Sequence, residues 1–167
     1  LYLAAAEYVA GQIARAHAAA LEEARNAPIA SPAAAVDAMV ALLDRFARLM
    51  LDEESARWAS FITREQQEPT AAFDRIHAIA IRPLIDTFQQ LIAIARPDLD
   101  VPARRATGFL LFGEVITLRA ARASLCRLFD IAAPGPAEEA LLRHRLAAHA
   151  RAILAPPLAD PFLAEKS

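Results

Sequence analysis

The sequence predicts an all-α protein, and three observations carry that prediction. Of its 167 residues, 42 are alanine, the strongest helix former. Only 4 are glycine, and nowhere does the chain alternate apolar with polar residues as a half-buried strand would. The nominal hydrophobic share of 56% is inflated by those alanines, which suit close helix packing more than they add bulk to a core. A chain of this length can bury one proper core, so a bundle of six or more helices in one domain is expected.

The first helix spans residues 2–25, with Tyr2, Ala6, Val9, Ile13, Ala16, Ala20 and Ala24 at helical spacing, and Pro28 ends it. Ser31 before Pro32 opens the second helix: serine caps free amides, and proline at the first helical position has no amide to satisfy. That helix carries Val36, Met39, Val40, Leu43, Phe46 and Met50 on one face. The acidic run Asp52, Glu53 and Glu54 complements the dipole of a third helix over residues 53–67, which Pro69 closes. The fourth, residues 70–95, has Phe73, Ile76, His77, Ala80, Leu84, Phe88, Leu91 and Ala95 on one stripe, and Pro83 inside it predicts a kink.

Residues 97–102 form a loop between two prolines. A fifth helix over residues 103–124 is apolar nearly all round from Phe109 to Leu118, with Glu114 its only charge there. Such a helix is covered on several sides, either as the central helix of a monomer or by a second copy of the chain. A turn at Ala133, Pro134, Gly135 and Pro136 precedes the sixth helix, which ends near Ala155 and carries Leu142, Leu146, Ala150 and Ile153 on one face. An irregular tail over residues 156–167 follows.

The composition excludes several classes of function. Charge-free runs such as residues 87–95 and 106–113 are shorter than the roughly 20 apolar residues of a membrane helix, so no membrane partner is expected. Net charge is −2, which gives no bulk electrostatic footprint for nucleic acid. Cys126 stands alone, which forbids an intramolecular disulfide, and without a signal-like start a reducing cytoplasm is the expected compartment. No zinc, di-iron, serine-hydrolase or phosphate-loop motif is present, so neither enzyme activity nor a metal or cofactor is expected. Leu1 is not methionine, and the first residues already read as helix interior without a cap, which predicts coding sequence upstream.

Candidate binding residues stand where polar groups interrupt apolar stripes. Trp58, Phe61 and Ile62 define one face of the third helix, and the next position on it is Glu65, flanked by Arg64 and Gln66. A carboxylate there is either paired internally, as an ion pair or a cap on a neighbouring helix, or it meets a ligand. His77, one turn after Phe73, is either a hydrogen-bonded core histidine or a ligand contact. Glu114 is a third such group. Together they outline an apolar cavity with a few polar anchors, walled by Trp58, Phe61, Ile62, Phe73, Phe109 and Phe112, the make-up of a small-molecule pocket or of an ordinary core.

The run Phe61-Ile62-Thr63-Arg64-Glu65-Gln66, then Pro69-Thr70-Ala71-Ala72-Phe73 and Ile81-Arg82-Pro83-Leu84, resembles the effector-binding and dimerisation domain of the TetR (tetracycline repressor) family of transcriptional regulators. The resemblance implies a ligand-responsive regulator, with residues 1–155 enclosing the effector site. Arg64, Glu65 and Gln66 carry the motif as pocket or scaffold. It also implies a homodimer formed through the last two long helices, which places Phe109, Phe112, Ile116, Leu142, Leu146 and Ile153 at the interface. Operator DNA would be bound only through a helix-turn-helix head preceding Leu1. The competing expectation is a stand-alone helical adaptor or dimerisation module without a ligand.

Overall fold

A computed structural model of the chain describes residues 2–26 and 29–156, with the side chains of Glu54 and Arg57 outside the description. The expected stop at Pro28, and all of the expected tail beyond Pro156, lie outside the described residues. Those described contain eight α-helices and no strand: α1 Tyr2–Asn26, α2 Pro32–Leu51, α3 Ala56–Gln67, α4 Ala71–Ile76, α5 Arg82–Ala95, α6 Val101–Ala120, α7 Arg122–Phe129 and α8 Pro136–Leu154. A 3-10 turn at Glu53–Ser55 precedes α3, and a π-helical turn at His77–Ile81 joins α4 to α5. The all-α architecture expected from the alanine content is the one found.

Local chemistry sets the boundaries. Ser31 caps α2 by accepting the Ala34 amide at 3.1 Å, ahead of Pro32. The acidic run forms the 3-10 turn instead of the first turn of α3. Buried Ser55 there donates to the Asp52 carbonyl at 2.7 Å. Asp100 caps α6 by accepting the Ala103 amide at 2.8 Å, so Val101 and Pro102 belong to the helix and not to the loop expected over residues 97–102. The expected fifth helix is also divided: at Ala121 the backbone leaves helical geometry (φ −104°, ψ 23°), α6 ends and α7 begins. Asp130, left-handed at φ 54°, ends α7.

Pro83 acts through the turn before it. Without an amide, and with a ring that crowds the carbonyl four residues earlier, proline cannot sit in an unbroken α-helix. The π turn absorbs the misfit by a one-residue change of register, in which the Arg82 amide donates to the His77 carbonyl. The helix therefore continues over Ala71–Ala95, 25 residues long and, by length and composition, apolar enough to cross a bilayer. Charge-free runs alone did not register this segment. It buries Leu84, Phe88, Leu91 and Ile92 in the main core, as a core helix does.

Helix α2 lies at the centre, packed against α1, α5, α6 and α8. Its Met39, Leu42, Leu43, Phe46 and Met50 join Leu84, Phe88, Leu111, Val115, Leu146 and Leu154 in one cluster. Each buried leucine or phenylalanine there contributes about 2 kcal/mol of transfer free energy. At the α5–α6 crossing Gly108 is required by space, since a Cβ there would lie 2.8 Å from Gln89 Nε2 and 3.3 Å from Ile92 Cδ1. A second, smaller cluster holds α1 to α4 through Ala6, Ala10, Ala72 and Ile76, all without exposed surface. These alanines let two backbones approach closely.

Candidate functional site

The motif at the α3–α4 corner is organised around Glu65. Its side chain is fully buried, yet both carboxylate oxygens have partners: one accepts the Tyr2 hydroxyl, and the other accepts the Thr70 hydroxyl at 2.7 Å and the Thr70 amide at 3.3 Å. Arg64 lies 3.6 Å from the carboxylate and donates to the Tyr2 hydroxyl. Thr70 in turn caps α4 by accepting the Ala72 amide at 3.1 Å. The Tyr2 and Thr70 hydrogen bonds hold the Glu65 carboxyl below the usual carboxylate range, and that same bond to Glu65 pushes the Tyr2 phenol up. Glu65 thus ties α1, α3 and α4 together with no acceptor turned to a cavity, the internal-pairing alternative of the two left open by its spacing.

A cavity of about 40 Å³ lies between α1, α2, α3, the π turn, α5 and α6, walled by Ile13, Phe46, Leu84, Phe112 and Val115 among others. One side chain in its wall is out of keeping with the rest. His17 is 6% exposed, and neither Nδ1 nor Nε2 has a hydrogen-bond partner. Among the described residues these are the only buried side-chain polar atoms so placed. Burial without a counter-charge lowers the His17 pKa to about 4, so the imidazole is neutral near pH 7. Phe46 meets its ring edge-on at 4.2 Å between centroids and fixes its orientation.

An outer space of about 290 Å³ adjoins this cavity, and Met50, Trp58, Ile62, Gln66 and Ile116 line both. Thr63, Gln67 and Arg119 make its outer wall polar. Arg119 is partly committed: Nε donates to the Met50 carbonyl at 2.8 Å and Nη2 donates to the Asp52 carbonyl. With Arg122, which donates to the Leu51 carbonyl at 3.1 Å, it caps the C-terminal end of α2. The wall of the cavity is thereby fastened to α6 and α7.

Of the residues proposed from sequence, Trp58, Ile62, Phe112 and the motif residue Gln66 converge on these two spaces. Phe61 instead packs on Tyr2, with ring centroids 5.6 Å apart, beside the smaller cluster. Phe73 and His77 stack on each other at 5.9 Å and line neither space. Glu114 lies 3.4 Å from His149 across α6 and α8, away from both. Phe109 is 75% exposed and lies by a different, apolar groove shared with Ile85, Phe88 and Arg105.

The expected interface residues also separate. Phe109 and Ile153 are exposed, Leu142 is half-buried, and Phe112 and Ile116 face the cavity. Leu146 is buried in the chain's own core and has no surface to offer a partner. Leu110 of α6 and Leu141 of α8 are exposed as well, and the spacing singled out neither.

Residues 35–156 match the model of the family described as HTH-type transcriptional dual regulator CecR, C-terminal domain. The chain belongs to that family. It is a TetR-like regulator domain, as the motif at Glu65 implied, and its family is one of transcriptional regulators. A curated relative, the HTH-type transcriptional dual regulator CecR of Shigella flexneri, is 32% identical over 96 residues, covering 56% of this chain and 43% of the relative. The match thus spans less than half the length of that CecR protein. The CecR-domain match begins within α2, after His17.

Proposed function

We propose that this chain is the effector-binding and dimerisation domain of a cytoplasmic, ligand-responsive transcriptional regulator that acts as a repressor. A small, largely apolar effector enters between Trp58, Ile62, Gln66 and Ile116 and reaches the inner cavity. The observation that carries this reading is an unpartnered neutral histidine in a largely apolar cavity, since a buried imidazole without a partner costs free energy unless something binds it. DNA binding belongs to a helix-turn-helix segment N-terminal to this domain, and two such heads on a dimer address a two-fold operator. The effector shifts the domain between two arrangements only by as much as its affinity for them differs. Arg119, which lines the outer space and caps α2 from α6, links occupancy of that space to the end of α2.

The dimer forms through α6 and α8, and the exposed apolar side chains Phe109, Leu110, Leu141 and Ile153 on those helices support this. Light scattering at micromolar concentration then returns twice the 18.1 kDa chain mass; a monomer mass removes this part. The cavity is tested with N-phenyl-1-naphthylamine, an uncharged apolar fluorophore. Trp58 is the one tryptophan in the chain, so its emission reports on the cavity directly. The probe quenches Trp58 in the wild type, and Ile116→Phe, which fills the shared wall, weakens probe binding by about tenfold or more. Equal binding by both proteins contradicts the reading.

A further inference from the structure

We propose that the cavity selects an uncharged ligand bearing a hydroxyl group, with a phenol as the simplest case, and that His17 is the residue that recognises the hydroxyl. The proposal rests on the sensing role above and specifies its ligand. A neutral imidazole offers one N–H donor and one bare nitrogen acceptor, and both ring nitrogens of His17 lack partners. A hydroxyl has the same pair of capacities, donating to the bare nitrogen or accepting from the N–H. A ketone could only accept, and an ether likewise, so neither could occupy the bare nitrogen.

Charge is excluded by the surroundings. Besides His17, the inner cavity is lined by the Gln66 amide and the Trp58 indole as side chains with polar atoms, and neither is charged. A carboxylate brought there would lose its hydration with no counter-charge to compensate it, only the neutral N–H donors of His17, Gln66 and Trp58. The guanidinium of Arg119 stands in the outer space, with donors already given to the Met50 and Asp52 carbonyls.

Size divides the ligand in two. The inner 40 Å³ accommodates a hydroxyl and the edge that bears it, not a whole effector. The apolar body then lies in the adjoining 290 Å³, against Trp58, Ile62 and Ile116. Met50 and Gln66, unbranched side chains common to both spaces, yield to let the two parts connect.

Calorimetric titration of the full chain with 4-butylphenol, butylbenzene and 4-butylbenzoate near neutral pH, with Trp58 emission read in parallel, tests this. The wild type is expected to bind the phenol about tenfold more tightly than butylbenzene and the benzoate not measurably, since one satisfied buried hydrogen bond is worth roughly that factor. In His17→Leu, and in His17→Phe, which keeps a ring against Phe46, the preference for the phenol falls to about one while butylbenzene affinity stays within about threefold. A wild type that binds butylbenzene and the phenol equally overturns the hydroxyl assignment and leaves the cavity standing. So does a preference that survives in a folded His17 variant. If none of the three compounds binds or perturbs Trp58, the sensing role falls with it. Where neither variant folds, the His17 ring nitrogens of ¹⁵N-labelled wild type decide: they shift on addition of the phenol if His17 holds the hydroxyl, and unmoved nitrogens with the phenol bound overturn the assignment.

Discussion

Two buried polar side chains, Glu65 and His17, present opposite solutions to the same physical problem. Glu65 brings a charge into the α3–α4 corner and is met by Tyr2, Thr70 and Arg64. His17 brings a neutral ring into an apolar cavity and is met by no hydrogen-bonding group. A satisfied buried group stabilises a fold and specifies its geometry; an unsatisfied one lowers stability and leaves a preference for whatever can complete it. The molecule therefore keeps its scaffold and its candidate binding function at two sites, although both lie along the α1–α3 side of the domain. The residue that most attracts notice in the sequence belongs to the scaffold.

The sharpest way to break this contrast is to remove the carboxylate. Glu65→Ala strands the Tyr2 and Thr70 donors and the Arg64 charge, and is expected to lower Tm by on the order of 10 °C in a thermal melt. Probe affinity for the cavity stays unchanged in the surviving folded protein. A loss of affinity with Tm intact would make Glu65 a ligand contact.

Acid separates the two groups without mutation. His17 takes up a proton less readily when folded, at about 4, than its ordinary 6.5. Its neutral burial therefore costs nothing extra above pH 6.5, and stability drains as pH falls from there toward 4. Between pH 7 and pH 5 denaturant unfolding should show a loss of about 2 kcal/mol, at 1.36 kcal/mol per pH unit below the unfolded pKa. Glu65 acts in a lower range. Its carboxyl is depressed from 4.5, so its contribution is complete above that pH and lost only below it. In His17→Leu the loss between pH 7 and pH 5 should disappear; its persistence would assign the effect to other groups.

A smaller effect sharpens the corner itself. Thr70→Val removes one donor to Glu65 and the side-chain cap on the Ala72 amide, and should cost about 1 kcal/mol in the same unfolding experiment. Cavity binding should again be unaffected.

The helices were legible because proline, capping residues and alanine content act locally. Ser31-Pro32, Thr70 and the Gly135-Pro136 turn mark helix starts close to where the structure has them. The division of the expected fifth helix at Ala121 was not legible, since no proline or glycine marks it. The cavity was half legible: Trp58, Ile62 and Phe112 stand out as large apolar groups at helical spacing. His17 did not, for a physical reason. In an alanine-rich helix nearly every face is apolar or small, so the stripe can be drawn through Ala16 or through its neighbour His17 with equal ease. The buried residues Ala6, Ala10, Ile13, His17, Ala20, Leu21 and Ala24 fix the phase that the sequence left open. Phe109 is exposed and Leu146 buried, a difference the sequence did not show because spacing identifies an apolar face without saying whether the chain's own helices cover it.

We propose His17, and not Glu65, as the polar contact for a ligand. Uniformly ¹⁵N-labelled protein tests this most directly, its histidine ring nitrogens and its backbone amides followed together by nuclear magnetic resonance as 4-butylphenol is added near neutral pH. A saturable change confined to the His17 nitrogens, with the Tyr2, Arg64 and Glu65 resonances of the corner unmoved, is the predicted result. Unchanged His17 nitrogens in the presence of bound phenol, with the corner shifting instead, would contradict the account.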